Sequence, residues 1–468
     1  MVGGEGYCRA CLEKQREIDG LKEQIKLLRD RVRYQERIAR EEGPFGSSTP
    51  SSKIPLKANT ELSLEDRQAR RGGAKPGHVG YGRSTAKESE ADEVVTLEVT
   101  ERSCPHCGVE LEERRFEPRT VIDIPPPRTR TILYRLGARR CPRCRRHFRA
   151  RTPATVLPRS LLGNQLLCHL AVQHYIFGVP LGRLEAQTSI GYGTLLGALH
   201  RLARLFAAVP ERLMLEYRAS PVKHADETGW RTDGQNGYAW LFATATVSIF
   251  RFRSTRSASV AQEVFGKDRL GGVLVVDRYQ GYNKAPVALQ YCYAHLLREV
   301  EDCGREFEDN VEVQRFVDAF VPLLATAMAL RRIATSDDDF RRQARALKRQ
   351  ILKAVKTPAL HPAIHRIQGI FRDHSERLYH WAADRSVPAD NNLAELELRP
   401  LVIARKVSFG SQSDAGARTR EILMTTLVTL RRRHPDDYRE RLKATLDRLA
   451  LDPAADPYNL LFHNHSPP

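Results

Sequence analysis

The sequence is short of acidic residues and has no long apolar run, and both shortages exclude classes of protein. No run approaches the ~18 consecutive apolar residues of a membrane span. The opening MVGGEGYCRAC also lacks the apolar stretch of a secretory signal. The 57 Asp and Glu are outnumbered by 75 Lys and Arg, which leaves a net charge of +18. Because arginine supplies most of this excess and its guanidinium suits phosphate oxygens, we expect a nucleic-acid partner and a soluble, cytoplasmic protein.

Size and composition exclude a small stapled peptide and a wholly disordered chain. The 468 residues are 41% hydrophobic and 28% charged, which is ordinary for a folded protein with room for about three domains. Alternating β-rich and helical stretches predict a multidomain α+β protein.

Cysteine is scarce, and six of the nine fall in C-x2-C pairs. An odd count in a reducing compartment argues against a disulfide framework. Two thiolates two residues apart reach one ion at ~2.3 Å, and two such pairs complete the tetrahedron of a structural Zn²⁺ site. The predicted zinc ligands are Cys104, Cys107, Cys141 and Cys144, with His106 and His147 as substitutes. The remaining pair, Cys8 and Cys11, is either half of a zinc site shared between two chains or two inert thiols.

Arginine is concentrated around the second zinc pair. Residues 128–151 contain ten arginines and no acid, which is denser than a merely solvated surface requires. Zinc would hold these guanidinium groups as a rigid phosphate-binding surface. The predicted DNA contacts are Arg139, Arg140, Arg143, Arg145, Arg146, Arg149 and Arg151.

A heptad pattern marks the N-terminal segment. Apolar residues step by three and four from Ile18 to Val32, and Gly43-Pro44 ends any helix. The polar outer faces favour a coiled coil that makes a homodimer, and the alternative is one amphipathic helix packed on the rest of the chain.

The order of segments predicts eight regions. A Ser-, Pro- and Gly-rich linker follows the first helix. Around the cysteine pairs, the runs VVTLEV, TVIDI and TILYRL predict strands. The three helices predicted after them fit either a helix-turn-helix or a plain helical core. The predicted regions are 1–42 (CxxC and coiled-coil helix), 43–92 (linker), 93–153 (zinc-binding domain), 154–217 (helical domain), 218–304 (first part of the core), 305–385 (helical insertion), 386–452 (C-terminal core helices) and 453–468 (frayed tail).

Two aspartates stand out in the α/β core. The segments KHADETGW, YAWLFATAT, VSIFRFR and GGVLVVD read as three antiparallel strands and one buried parallel strand, and YCYA reads as a fifth. Asp226 interrupts the first strand and Asp277 ends the fourth. This order of elements is that of ribonuclease H-like nucleases, in which two neighbouring strands bring such acids to one cation.

Attack on a phosphodiester is served by two divalent ions that support the entering and leaving oxygens, and Mg²⁺ needs only one or two carboxylates per ion. A third acid is therefore expected from a helix beside the sheet, and Glu395 is the candidate. Its spacing from Asn392 also fits a capping box, so it is alternatively a helix-start residue. The rivals are Glu397, Asp390 and Glu227, although strand alternation sends Glu227 to the face opposite Asp226.

Several motifs resemble transposases of the insertion-sequence 66 family, over most of the chain. They are KPGHVG, CPHCG, VPLGRLE, HADETGWR, VVDRYQGYN, CYAHLLRE and ADNNLAELELRPLVIARKVSFGSQSDAGARTRE. The resemblance implies a DDE enzyme with a ribonuclease H-like core and a helical insertion. It carries the acidic triad to Asp226, Asp277 and Glu395, which would hold two Mg²⁺ ions, or Mn²⁺ in their place.

The same resemblance marks further residues. Arg405 and Lys406 of the last motif are expected to contact DNA, and His295 and Arg298 are either auxiliary to DNA binding or core residues. The chain departs from the family at Leu396, where an arginine is usual.

We therefore expect a DNA transposase that binds terminal inverted repeats and cleaves and transfers strands, with small accessory proteins of the element as further partners. The alternatives are a zinc-containing DNA-binding protein without catalysis and a dimeric scaffold without a DNA role.

Overall fold

The structure is a computed structural model that describes residues 9–41, 87–91, 94–96, 106–110, 129–140, 142–149 and 152–463. Contacts divide the chain into two units, 1–53 with 133–468, and 54–132. In the described residues of the second unit, the regular structure is one 3-10 turn, Glu88–Glu90.

The N-terminal helix α1 (Arg9–Glu41) is longer than the heptad pattern predicts. Its heptad side chains are exposed, from 44% at Ile18 to 57% at Val32, so the apolar seam is uncovered. Toward its C-terminal end, the Tyr34 hydroxyl accepts a hydrogen bond from Arg366 at 3.0 Å, and Asp30 lies 3.6 Å from His361 Nε2. The helix therefore packs on the chain near one end, as the second alternative predicts, and the coiled-coil homodimer stays a prediction.

Two short strands lie around the second cysteine pair. They are β1 (Ala138–Arg140) and β2 (His147–Arg149), which pair antiparallel. The strand predicted at 131–136 is wrong, because these residues have no regular structure and Leu133 is 82% exposed. Among the described residues, this run pairs with no strand and buries no face, so no tertiary contact supports its β propensity.

Four helices follow where three were predicted. They are α2 (Asn164–Tyr175), α3 (Leu181–Thr188), α4 (Tyr192–Leu205) and α5 (Val209–Ala219). The third predicted helix divides ahead of Pro210, which occupies the first turn of α5, where the missing N–H of proline is harmless. The predicted turn between α3 and α4 is confirmed, with Ser189 in the left-handed region at φ 56°.

A five-stranded mixed sheet forms the core. Its strands are β3 (Val222–Thr232), β4 (Gln235–Ala243), β5 (Ser248–Arg253), β6 (Val273–Val276) and β7 (Ala288–Tyr291), in the order β5-β4-β3-β6-β7. The first three pair antiparallel, and β6 and β7 run parallel to β3. This is the predicted arrangement, consistent with a ribonuclease H-like fold.

Local sequence explains the ends of these strands. Asp233 and Gly234 both have positive φ and join β3 to β4 in a two-residue hairpin turn, tighter than the predicted RTDGQNG turn. The fifth strand ends at Tyr291 instead of continuing through YCYA, because Cys292 is the N-cap of the following helix. Between β5 and β6 runs α6 (Ala258–Phe265).

Residues 305–385 are helical as predicted, with no strand among them. The helices are α7 (Tyr293–Glu306), which leads into this insertion, α8 (Val311–Ile333), α9 (Asp337–Lys356), α10 (Pro362–Asp373) and α11 (His380–Ala383). By length and composition, α8 is the one helix of the described chain that could cross a membrane. It packs against α7 and α9 and buries Phe320 and Leu324, so it is a core helix of a soluble protein.

The C-terminal part holds α12 (Asn392–Ser408), α13 (Asp414–Arg433), α14 (Tyr438–Leu451) and α15 (Pro457–Phe462). The predicted frayed tail from 453 is wrong up to residue 463. Tyr458 and Leu461 are buried, and Arg212 of α5 stacks on the Tyr458 ring at 3.9 Å, which gives this short helix a place to pack.

Helix α13 also protects the edge of the sheet. Strand β5 is an edge strand, so its outward N–H groups need partners. The hydroxyls of Thr429 and Thr425 accept hydrogen bonds from the backbone N–H groups of Ser248 and Phe250, each at 3.0 Å. Threonines on a helix thus take the place of a sixth strand.

Candidate active site

Asp226 and Asp277 lie side by side on neighbouring strands. The parallel pairing of β3 with β6 places Val222 opposite Val273 and His224 opposite Val275. The same offset of 51 residues brings Asp226 level with Asp277, which follows the last residue of β6. The two acids predicted from strand pattern therefore meet at one edge of the sheet.

Helix α12 is attached to β3 beside Asp226. The side chain of Asn391 donates to the Ala225 carbonyl and accepts from His224 Nδ1, both at 2.9 Å. Burial lowers the pKa of His224 to about 4, so this imidazole is neutral. The paired asparagines of the sequence motif thus have a structural purpose, because one of them fixes the start of the helix that carries Glu395.

Glu395 is turned toward α7 and does not cap its own helix. Its Oε1 lies 3.5 Å from Arg298 Nη2 and 3.7 Å from His295 Nδ1. No side chain caps the start of α12, so the capping-box reading is not what the structure shows. His295 and Arg298 are accordingly neighbours of the third acid.

The rival acids are engaged elsewhere. Glu397 accepts from Ser248 Oγ at 3.1 Å and pairs with Arg432 at 2.8 Å. Asp390 accepts the N–H of Asn392 in a local turn. Glu227 is buried and is held by Arg256 and the Tyr282 hydroxyl.

Burial, and after it the neighbouring negative charges, raise the pKa values of both aspartates. The pKa of Asp226 is raised well above its usual value, first by burial and then by the charges of Glu227, Asp277 and Glu395. The pKa of Asp277 is raised to about 7, first by burial and then by Glu227. In the described part of the chain, no ion pair reaches either aspartate. An oxygen-rich cluster with uncompensated negative charge suits a hard divalent cation.

The sequence analysis did not predict the influence of Glu227 on the two aspartates. Alternation along β3 does turn it away from Asp226, toward Arg256. Even so, its charge is the largest of those that raise the pKa of both aspartates. Only the position of Arg256 and Tyr282 in the fold would have revealed this.

The zinc ligands are described only in part. Cys107 and Cys144 are exposed, while Cys104 and Cys141 lie outside the described residues, as does Cys8. Among the predicted DNA contacts, the side chains of Arg139, Arg143, Arg145 and Arg146 are exposed. Arg140 and Arg149 lie in β1 and β2, and Arg151 is outside the described residues.

The RK…GS string of the last motif is partly structural. Arg405 donates to Thr228 Oγ1 at 3.2 Å and to the Gly229 carbonyl, whereas Lys406 is exposed. Gly410 has φ +126°, and a Cβ there would lie 2.2 Å from the Arg231 carbonyl oxygen. The backbone of Ser411 then bonds to the hairpin at Arg231 and Asp233. These contacts tie α12 to the tip of the β3–β4 hairpin.

Comparison with known proteins agrees with this architecture. Residues 159–419 match the family model described as "Transposase IS66 family", and residues 101–145 match the "zinc-finger binding domain of transposase IS66". The mixed sheet, its acids and the matched domains define a transposase with a DDE domain and a zinc finger. The chain belongs to the IS66 family of transposases.

The first match covers more than half of the chain, and the second spans all four predicted zinc ligands. A curated relative, "Uncharacterized protein y4qI" of Sinorhizobium fredii, is 24% identical over 395 residues, which is 74% of this chain and 70% of that protein. The family implies DNA transposition chemistry, DNA binding, a divalent metal for the DDE domain and zinc for the finger.

Proposed function

We propose that this protein binds the terminal inverted repeats of a bacterial insertion sequence and catalyses metal-dependent strand cleavage and strand transfer. The observation that carries the proposal is the electrostatic coupling of Asp226, Asp277 and Glu395 beside a ribonuclease H-like sheet. Perturbed carboxylates of this kind cluster at functional sites, because the fold tolerates their repulsion only where a ligand relieves it.

The three acids are suited to hold two Mg²⁺ ions, or Mn²⁺ in their place. When bound, such ions activate water or a 3′ hydroxyl and support the leaving 3′ oxygen. Asp226 and Asp277 lie on rigid strands and fix two of the carboxylates in register. Glu395 reaches the site from α12, whose orientation Asn391 determines. No covalent link between protein and DNA is needed.

DNA binding is assigned to three exposed regions. The arginines around β1 and β2 offer phosphate contacts that are independent of sequence. The first residues of α4, Tyr192 to Thr194, are exposed, as the start of a recognition helix must be. Lys406 is exposed on the same helix as Glu395. Because Arg405 is bound to β3, we assign it mainly a positioning role.

Pairing of two copies is assigned to α1. Its heptad seam is exposed and apolar, which suits a second copy of the same helix. A dimer would hold both ends of the element together. The location that follows is the bacterial nucleoid.

The test is strand cleavage of element-end DNA with Mg²⁺. We expect Asp226→Asn, Asp277→Asn and Glu395→Gln each to lower the cleavage rate by roughly 10³-fold or more, because each removes a metal-binding oxygen. Glu397→Gln is the matched control on the same helix and should cleave within a few-fold of wild type.

Equal cleavage by wild type and the triad variants would overturn the assignment of the acids. Salt-sensitive binding to element ends without any cleavage would favour the alternative of a catalytically inactive DNA-binding protein.

A further inference from the structure

Three side chains of different chemistry converge next to the acidic site. Cys292 Sγ, a ring nitrogen of His295 and a carboxylate oxygen of Glu395 all lie within 4.8 Å of one another. Thiolate, imidazole and carboxylate together are the donor set of zinc. Mg²⁺ is a poor match for them, because it binds oxygen and avoids sulfur.

The imidazole of His295 has a vacant nitrogen. In the described structure its Nδ1 is buried and has no hydrogen-bond partner. The nearest acceptor, Glu395 Oε1, lies 3.7 Å away, beyond hydrogen-bonding distance. Two ligand atoms each ~2.0–2.1 Å from one tetrahedral ion are about 3.3–3.4 Å apart. The observed gap is therefore close to that of two ligands sharing an ion.

Backbone geometry favours sulfur ligation by Cys292. The Asn391 N–H donates to Cys292 Sγ at 3.1 Å, and Cys292 begins α7, so Cys292 and His295 approach from one turn. N–H donors of this kind stabilise a thiolate. A thiol that binds a divalent ion releases its proton to solvent.

We propose that Cys292, His295 and Glu395 form a second metal site, separate from the zinc finger, that takes a thiophilic divalent ion such as Zn²⁺. Occupancy engages Glu395 and removes it from the acidic triad, so zinc inhibits the Mg²⁺-dependent reaction. The inhibitory part rests on the proposed function, and the binding part does not.

Binding is tested on the full-length protein by metal content and by Co²⁺ substitution. The zinc finger and Cys8/Cys11 contribute equally to every variant, so only differences count. We expect Cys292→Ser and His295→Gln each to hold one Zn²⁺ fewer per chain than wild type. Cys292→Ser should also weaken the thiolate-to-Co²⁺ charge-transfer band.

Cys303→Ser is the matched control, because Cys303 is buried on the same helix outside the cluster. Serine still caps α7, and His295→Gln provides a second readout if Cys292→Ser does not fold. Identical zinc content in wild type and both cluster variants would overturn the site.

Inhibition is tested by adding Zn²⁺ to the Mg²⁺-dependent cleavage reaction. Each protein is compared with its own zinc-free rate. We expect at least tenfold inhibition of wild type and Cys303→Ser, and little inhibition of Cys292→Ser and His295→Gln. Equal inhibition of all four would overturn the inhibitory role. A wild type that binds the extra zinc but never cleaves with Mg²⁺ would instead overturn the proposed function and leave the zinc site intact.

Discussion

Carboxylates beside two parts of the sheet have opposite surroundings. At the β5 edge, Glu421 accepts hydrogen bonds from Arg251 and Arg253, each at 3.0 Å, and from Arg418 at 2.6 Å. On the inner strand β3 and at the end of β6, Asp226 and Asp277 have no such partner among the described residues, and their pKa values are raised.

This difference distinguishes a carboxylate that stabilises the fold from carboxylates that a bound cation would stabilise. Burial disfavours any carboxylate, and an arginine that is also buried compensates for most of that cost. An acid buried without a cation destabilises the fold, so it persists where a ligand supplies the missing positive charge. Glu421 therefore fastens α13 to the sheet, while Asp226 and Asp277 are the acids that we propose bind metal.

The largest expected effect on stability comes from neutralising Glu421, the buried acid that is paired with arginines. Glu421→Gln leaves Arg251 buried beside a neutral partner, and we expect the free energy of unfolding to fall by about 3–5 kcal/mol. Urea unfolding measures this loss. Glu376→Gln is the control, because its pair with Arg377 is at the surface and should contribute below about 1 kcal/mol. A loss below 1 kcal/mol at Glu421 would contradict the structural role of that cluster.

Neutralising Asp277, which has no ion pair in the described structure, should change the free energy of unfolding in the opposite direction. The folded-state pKa of Asp277 is about 7, above its usual value near 4, so folding holds a proton that the unfolded chain releases. At pH 4, wild type and Asp277→Asn should have about the same free energy of unfolding. As the pH rises to about 7, the free energy of unfolding of wild type should fall below that of the variant. Above pH 7 the metal-free variant should be more stable by about 2–4 kcal/mol.

Thermal or urea unfolding in a chelator checks this pH dependence. A difference between wild type and Asp277→Asn that stays constant from pH 4 to 8 would show that Asp277 is not held protonated by its surroundings.

Glu397 is an intermediate case, half-buried and paired. Its contacts with Ser248 and Arg432 fasten α12 to the sheet and to α13. We expect Glu397→Gln to lower the free energy of unfolding by about 1–2 kcal/mol, since a partly solvated pair contributes less than a buried one. A drop in cleavage as large as that of Glu395→Gln would move the third acid to Glu397.

The smallest effect should come from charges that are unmatched and exposed. Arg143 and Arg146 are available to DNA phosphates, and each contact adds about 0.9 to the slope of log affinity against log salt. The double change Arg143→Gln with Arg146→Gln should therefore reduce that slope by about 1.8. A salt titration of DNA binding measures it, and an unchanged slope would remove these arginines from the interface.

Sequence reasoning predicted the parts that local pattern determines. The continuous apolar run before Asp277 predicted a buried parallel strand, and the Asp233-Gly234 turn lies within the turn that was predicted. The resemblance placed the third acid at Glu395, whereas spacing alone left Glu397 open as a rival. Spacing could not decide between them, because the rotation of α12 depends on Asn391 bonding to β3 far away in sequence. The raised pKa values of Asp226 and Asp277 could not be predicted from the sequence either, because only the fold determines which acids have an arginine beside them. The predictions of a strand at 131–136 and of a frayed tail from 453 were wrong, because tertiary contacts override local propensity.

The threonines of α13 have a consequence for synthesis of the protein. They cover the edge of β5, a strand that is synthesised more than 170 residues before them. Until α13 emerges, the N–H groups of Ser248 and Phe250 are available to any neighbouring strand. Prematurely terminated copies that retain the sheet are therefore expected to aggregate through β5.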